Sequence, residues 1–64
     1  MKYTVYYEGE YSYIGFGIVE TEADNLYDLI RKLERGDVTD EEKDVAVYED
    51  MVTQIDVNKE YYGF

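Results

Sequence analysis

No cysteine and no histidine occur anywhere in this chain, so neither a disulfide nor the usual nitrogen and sulfur ligands of a structural zinc can hold it together. At 64 residues it forms one domain. A domain of that size buries only roughly 60% of the surface its unfolded form exposes, which leaves a thin core. Small folds supplement such cores with disulfides, metals or oligomerisation, and only self-association is open to this one. A homodimer is therefore one expectation. The opening Met1-Lys2-Tyr3-Thr4-Val5 lacks the apolar run and cleavage site of a signal peptide, and no stretch reaches the roughly 20 apolar residues that cross a bilayer. An intracellular, cytoplasmic chain is the corresponding expectation, with no membrane partner.

Sixteen acids against six bases give a net charge of −10. Such an excess often accompanies disorder, but 45% hydrophobic residues, including nine tyrosines and two phenylalanines, supply enough apolar surface to fold around. The implied arrangement is an acidic shell on a real core. Its field repels nucleic acid and anionic lipid and attracts basic surfaces.

Tyr3, Val5 and Tyr7 alternate with polar or smaller neighbours, which predicts a strand over 2–8. Glu8-Gly9-Glu10 then reads as a tight hairpin turn with Gly9 at positive φ. A second strand follows over about 11–19, with Ile14, Phe16 and Ile18 on one face and Tyr11, Tyr13, Gly15, Gly17 and Val19 on the other. Two glycines weaken a strand unless a bend, a backbone or an aromatic ring uses the space. They lie inside a strand with no third glycine opening a helix, so the dinucleotide fingerprint fails on context.

Ala23, Leu26, Leu29, Ile30 and Leu33 recur at helical spacing, preceded by Thr21 and Asp24 as a capping pair and followed by Gly36 as terminator. Arg31, Lys32 and Arg35 favour the negative end of that helix, which is predicted over about 22–35. Thr39 and Glu42 suit one helical turn within an otherwise irregular acidic stretch. Val45, Val47, Ile55 and Val57 predict a second hairpin, 44–49 with 51–58, turning at Glu49-Asp50. The resulting ββαββ order is an α+β fold: a single small domain with about four antiparallel strands and one amphipathic helix packed on one face.

The charge is unevenly placed. Residues 21–36 hold four acids and three bases, so nine of the ten net charges lie elsewhere. Asp37, Asp40, Glu41, Glu42, Asp44, Glu49 and Asp50 crowd into fourteen residues, opposed only by Lys43. Glu8, Glu10, Glu20 and Glu22 form a second group at turns and strand ends. Self-repulsion costs folding energy, which argues for a basic partner; solubility is the simpler account, but about 2 to 8 charges suffice for that in a small domain. Tyr3, Tyr7 and Tyr27 are expected in the core. Tyr6, Tyr11 and Tyr13 fall on the sheet's open side, where tyrosine suits a protein interface. A base-stacking platform would need a basic groove, so direct nucleic-acid binding is not expected.

Metal and cofactor sites are not expected either. The acids at 37–44 lack the alternate spacing, central glycine and terminal glutamate of a calcium-binding loop. Nucleophilic triads need a base such as histidine beside Ser, Cys or Thr, and paired carboxylates need an apolar cleft that a fold this small rarely has. The chain is expected not to be an enzyme.

An acidic run from Asp37 to Asp50 on a small, tyrosine-rich, cysteine-free α+β chain resembles the phage-encoded inhibitors that mimic DNA, among them anti-CRISPR proteins and inhibitors of restriction enzymes or uracil-DNA glycosylase. The resemblance is one of character, without an alignable motif. It implies an inhibitor that occupies the basic nucleic-acid-binding surface of a larger protein. In a CRISPR nuclease that surface is the one that reads the PAM or holds DNA. Asp37, Asp40, Glu41, Glu42, Asp44, Glu49 and Asp50 would supply the charge there, with Tyr6, Tyr11 and Tyr13 as buried contacts. Residues 1–33 are also similar to the N-terminal part of HicB-type antitoxins, without the Pro-rich segment that family carries before its helix. That likeness implies a small homo-oligomeric domain whose acids only solvate it.

Overall fold

The computed structural model describes residues 1–9 and 14–58. Its elements are β1 (Lys2–Glu8), β2 (Phe16–Glu22), α1 (Leu26–Arg35), β3 (Thr39–Asp40), β4 (Val45–Ala46), a 3-10 turn over Glu49–Met51, and β5 (Val52–Asn58). The fold is α+β, with an antiparallel sheet and one helix. The sheet has three strands in the order β2-β1-β5, and β3 with β4 makes a separate two-stranded ladder, so the expected four-stranded ββαββ sheet is corrected.

β1 is the centre of the design. Tyr3, Val5 and Tyr7 all point inward and are buried, as their alternation predicts, and they pack with Ala23, Leu29, Leu33, Val38 and Val47. A strand this buried needs its backbone N–H and C=O groups paired on both edges. β2 supplies one, with Tyr3 opposite Thr21 and Tyr7 opposite Gly17. β5 supplies the other, with Tyr3 opposite Val57 and Val5 opposite Ile55, and a bulge between Tyr6 and Tyr7. The expected hairpin of 44–49 with 51–58 does not form, because the alternating Ile55 and Val57 are recruited to β1 instead. β4 pairs with Thr39–Asp40. The expected helical turn at 39–42 is therefore a short strand followed by a turn over 41–44, in which Asp44 takes a left-handed φ of 54°.

β2 begins later than its composition suggests and its faces are reversed. Directly opposite residues of an antiparallel pair share a face, so Gly17 lies on the same side as Tyr7. A Cβ built on Gly17 would overlap the Tyr7 ring. The large ring takes the space, which turns Gly17 and Val19 inward and leaves Phe16 and Ile18 on the outer face, 76% and 63% exposed. The β1–β2 connection is longer than a tight turn: the Gly9 N–H donates to the Gly15 carbonyl at 2.9 Å, and the left-handed glycine is Gly15, at φ 61°, rather than Gly9. Tyr11 and Tyr13 lie outside the described residues.

The helix starts at Leu26, not at Glu22, because Thr21 and Glu22 continue the ladder with Tyr3 and Lys2. Asn25 is the N-cap, its side chain accepting from the Asp28 N–H at 2.8 Å, while the Asp28 carboxylate accepts from the Asp24 N–H at 3.2 Å. This is the reciprocal logic expected of Thr21 and Asp24, moved along the chain to a better cap; such caps contribute about 1 kcal/mol. Gly36 ends the helix at φ 74°, with the Gly36 and Asp37 N–H groups closing onto the Leu33 and Lys32 carbonyls. Leu29 and Leu33 are buried, but Tyr27, expected in the core, is 73% exposed beneath the Arg31 guanidinium.

Candidate acidic interface

The acidic stretch is held by one buried carboxylate. Asp40, 6% exposed at the end of β3, accepts the Tyr7 hydroxyl at 2.5 Å on one oxygen and the Glu42 N–H at 3.1 Å on the other. Lys43 lies over the Tyr7 ring and donates its ammonium to the Ile14 and Phe16 carbonyls at 2.7 and 2.5 Å. The turn at 41–44 is thus fastened to the start of β2 from two sides. Asp40 was expected to contact a partner; its burial corrects that, and its role is to seat the turn.

The chemistry of this clasp is visible in its acidities. The Tyr7 hydroxyl, with the Glu42 and Lys43 N–H groups and the Lys43 charge, outweighs burial and holds the Asp40 carboxyl below its ordinary 3.8. Burial, then the hydrogen bond and charge of Asp40, push Tyr7 up to about 12. A depressed acid stabilises the fold above its unfolded pKa and ceases to do so as pH falls through the folded one; a raised tyrosine stabilises it below its unfolded pKa and ceases as pH rises through the folded one. The urea midpoint should therefore fall as pH drops below 3.8, and fall again between pH 10 and about 12. In the Tyr7→Phe variant the alkaline loss should shrink. An unchanged alkaline limb in that variant would contradict the clasp.

Outside the clasp, the carboxylates are largely unopposed. Among the described residues the ion pairs are Lys32 with Asp28 at 4.0 Å and Arg35 with Asp37 at 2.9 Å, the second half-exposed. Asp37 is therefore the one expected contact residue already carrying a cation. Glu41, Glu42, Asp44, Glu49 and Asp50 are exposed and have no cationic partner among the described residues. Lys43, the base within the run, has its ammonium engaged by backbone carbonyls.

No family model, no curated protein and no solved structure matches the chain.

The outer face of the three-stranded sheet carries Tyr6, the one residue of the expected tyrosine set among the described residues. Tyr6, half-buried, lies there opposite Ile18, and the nearby Asp56 raises its hydroxyl pKa, chiefly by a hydrogen bond. Glu8 sits opposite Phe16, and Glu20 opposite Thr4, which in turn faces Asp56. Because Lys43 bonds the Phe16 carbonyl, the 41–44 turn meets the β2 edge of the sheet close to Phe16. Phe16 and Ile18 are the interface candidates that sequence reading missed. The signal for them is steric: Gly17 opposite Tyr7 fixes the phase of β2, but only once the strand register is known. No helix among the described residues is long and apolar enough to cross a membrane.

Proposed function

We propose that the chain is an acidic protein-binding inhibitor that occupies the basic nucleic-acid-binding surface of a larger protein, as a DNA mimic. One observation carries this reading: five exposed carboxylates at Glu41, Glu42, Asp44, Glu49 and Asp50 stand without a cation among the described residues, while the lysine between them is engaged by backbone carbonyls. Carboxylates on a folded surface accept charge-assisted hydrogen bonds from Lys and Arg much as phosphates do. The buried Asp40 supports the reading, because it fastens the turn that presents three of the five. Phe16, Ile18 and Tyr6, on the outer face of the sheet whose β2 edge the turn meets, add apolar contact. A CRISPR nuclease is the target class that the resemblance to phage inhibitors suggests, with its PAM-reading or DNA-holding surface as the site occupied.

A second reading draws on the same outer face. Phe16 and Ile18, 76% and 63% exposed on a sheet face that no element among the described residues covers, also suit a homo-oligomeric, antitoxin-like domain whose acids only confer solubility.

Capture from a bacterial lysate on the immobilised chain separates them. The inhibitor reading expects a nucleic-acid-binding protein, retained at low salt and released as salt screens the contact. Sedimentation of the pure chain as a dimer at both low and high salt, with no such protein captured, would favour the oligomer.

A further inference from the structure

We propose that the groove between the last turn of α1 and the segment around the 3-10 turn receives an arginine-bearing segment of the basic partner, with the guanidinium as its anchor. The proposal rests on the inhibitor reading and names the chemistry of one contact within it. The groove measures about 680 Å³ and is open to solvent, enough for one long side chain and the backbone flanking it. Its lining includes the apolar side chains of Ile14, Val45 and Met51 and the ring of Tyr48, a residue 47% exposed. Three carboxylates, Glu34, Glu49 and Asp50, line it, and no Lys or Arg does among the described residues. The adjoining end of α1 adds its partial negative charge.

This combination selects the occupant by charge and shape. A simple cation site has no use for an apolar and aromatic lining, and a neutral apolar ligand has no use for three carboxylates. A guanidinium uses both, since it stacks on an aromatic face, bonds carboxylates with a rigid fork of donors and sheds water more easily than an ammonium does. The site is also prepared in advance. The Tyr48 ring rests against Gly36, where a Cβ would come within 2.8 Å of it, and the Tyr48 N–H is directed at the Met51 sulfur at 3.5 Å. The glycine that ends the helix thus also makes room for the ring.

The test is an NMR titration of the 15N-labelled full chain with L-argininamide and with its uncharged isostere L-citrullinamide. Saturable shifts at Glu34 and over residues 45–51 are expected for argininamide, and affinity at least about tenfold lower for citrullinamide. The pair Glu34→Gln with Glu49→Gln, both exposed and outside the core, should weaken argininamide by about tenfold, whereas Glu41→Gln with Glu42→Gln should not. Equal shifts with both amides, or linear shifts spread over all carboxylates including the 41–44 turn, would overturn the groove. The two proposals fail separately: capture of a nucleic-acid-binding protein alongside such diffuse shifts sinks the groove alone, and saturable argininamide binding without any such capture sinks the inhibitor reading alone.

Discussion

Replacing Gly17 by alanine should destabilise the domain by about 2–3 kcal/mol, at the upper end of the usual overpacking range. The new methyl would enter the Tyr7 ring, and that ring has nowhere to go: it is buried, covered by Lys43 and tied through its hydroxyl to Asp40. Relief requires moving β2 off β1 or pulling the hydroxyl from a buried carboxylate, and either is costly. A single core of this size rarely supplies more than about 3–5 kcal/mol, so the variant should keep only about 0–3 kcal/mol and melt at a much lower urea concentration. Gly15→Ala is the control. Gly15 has a left-handed φ of 61°, so its replacement should cost about 1–2 kcal/mol through backbone strain alone. Urea melts of both variants decide the matter; a Gly17→Ala midpoint equal to wild type would mean that Tyr7 does not use the glycine's space.

Reversing Glu41 and Glu42 to lysine should abolish capture while leaving the fold at least as stable; Asp44 is kept, because at its left-handed φ of 54° lysine would add backbone strain that aspartate tolerates. These side chains are exposed, and what the turn needs from Glu42 is its backbone N–H, which the substitution keeps. Removing clustered like charge from a chain at −10 lowers self-repulsion. Wild-type stability should thus rise with salt as the repulsion is screened, and the variant's should rise less. Binding should fall by more than about a hundredfold, since each reversal replaces an attraction with a repulsion against a basic surface. Circular dichroism and retention on the captured protein measure the two effects. Undiminished retention with the fold intact would remove the acidic turn from the interface.

How much of this was legible in the sequence follows from which forces are local. The inward set of β1, the buried Leu29 and Leu33 of the helix and the Gly36 cap are set by near-neighbour periodicity and backbone conformation, and they read correctly, whereas the helix start and the exposed Leu26 did not. The phase of β2 did not, because hydrophobicity favours Phe16 and Ile18 inside while the Tyr7 ring, nine or more residues away, dictates the opposite. The partner of β5 was misread for a similar reason: alternation identifies a strand but not which edge it joins, and β1 had an edge to fill. Among the acids, Asp40 is indistinguishable from Glu41 by composition. Only the 33-residue separation bridged by the Tyr7 hydroxyl makes it structural.

The most direct measurement is competition. A fluorescent duplex DNA bound to the captured protein should be displaced by the wild-type chain in a single competitive isotherm, with an apparent affinity that falls steeply as salt rises for chain and DNA alike. Simultaneous binding of chain and DNA, with the DNA signal undisturbed at saturation, would contradict the claim that these carboxylates stand in for phosphates.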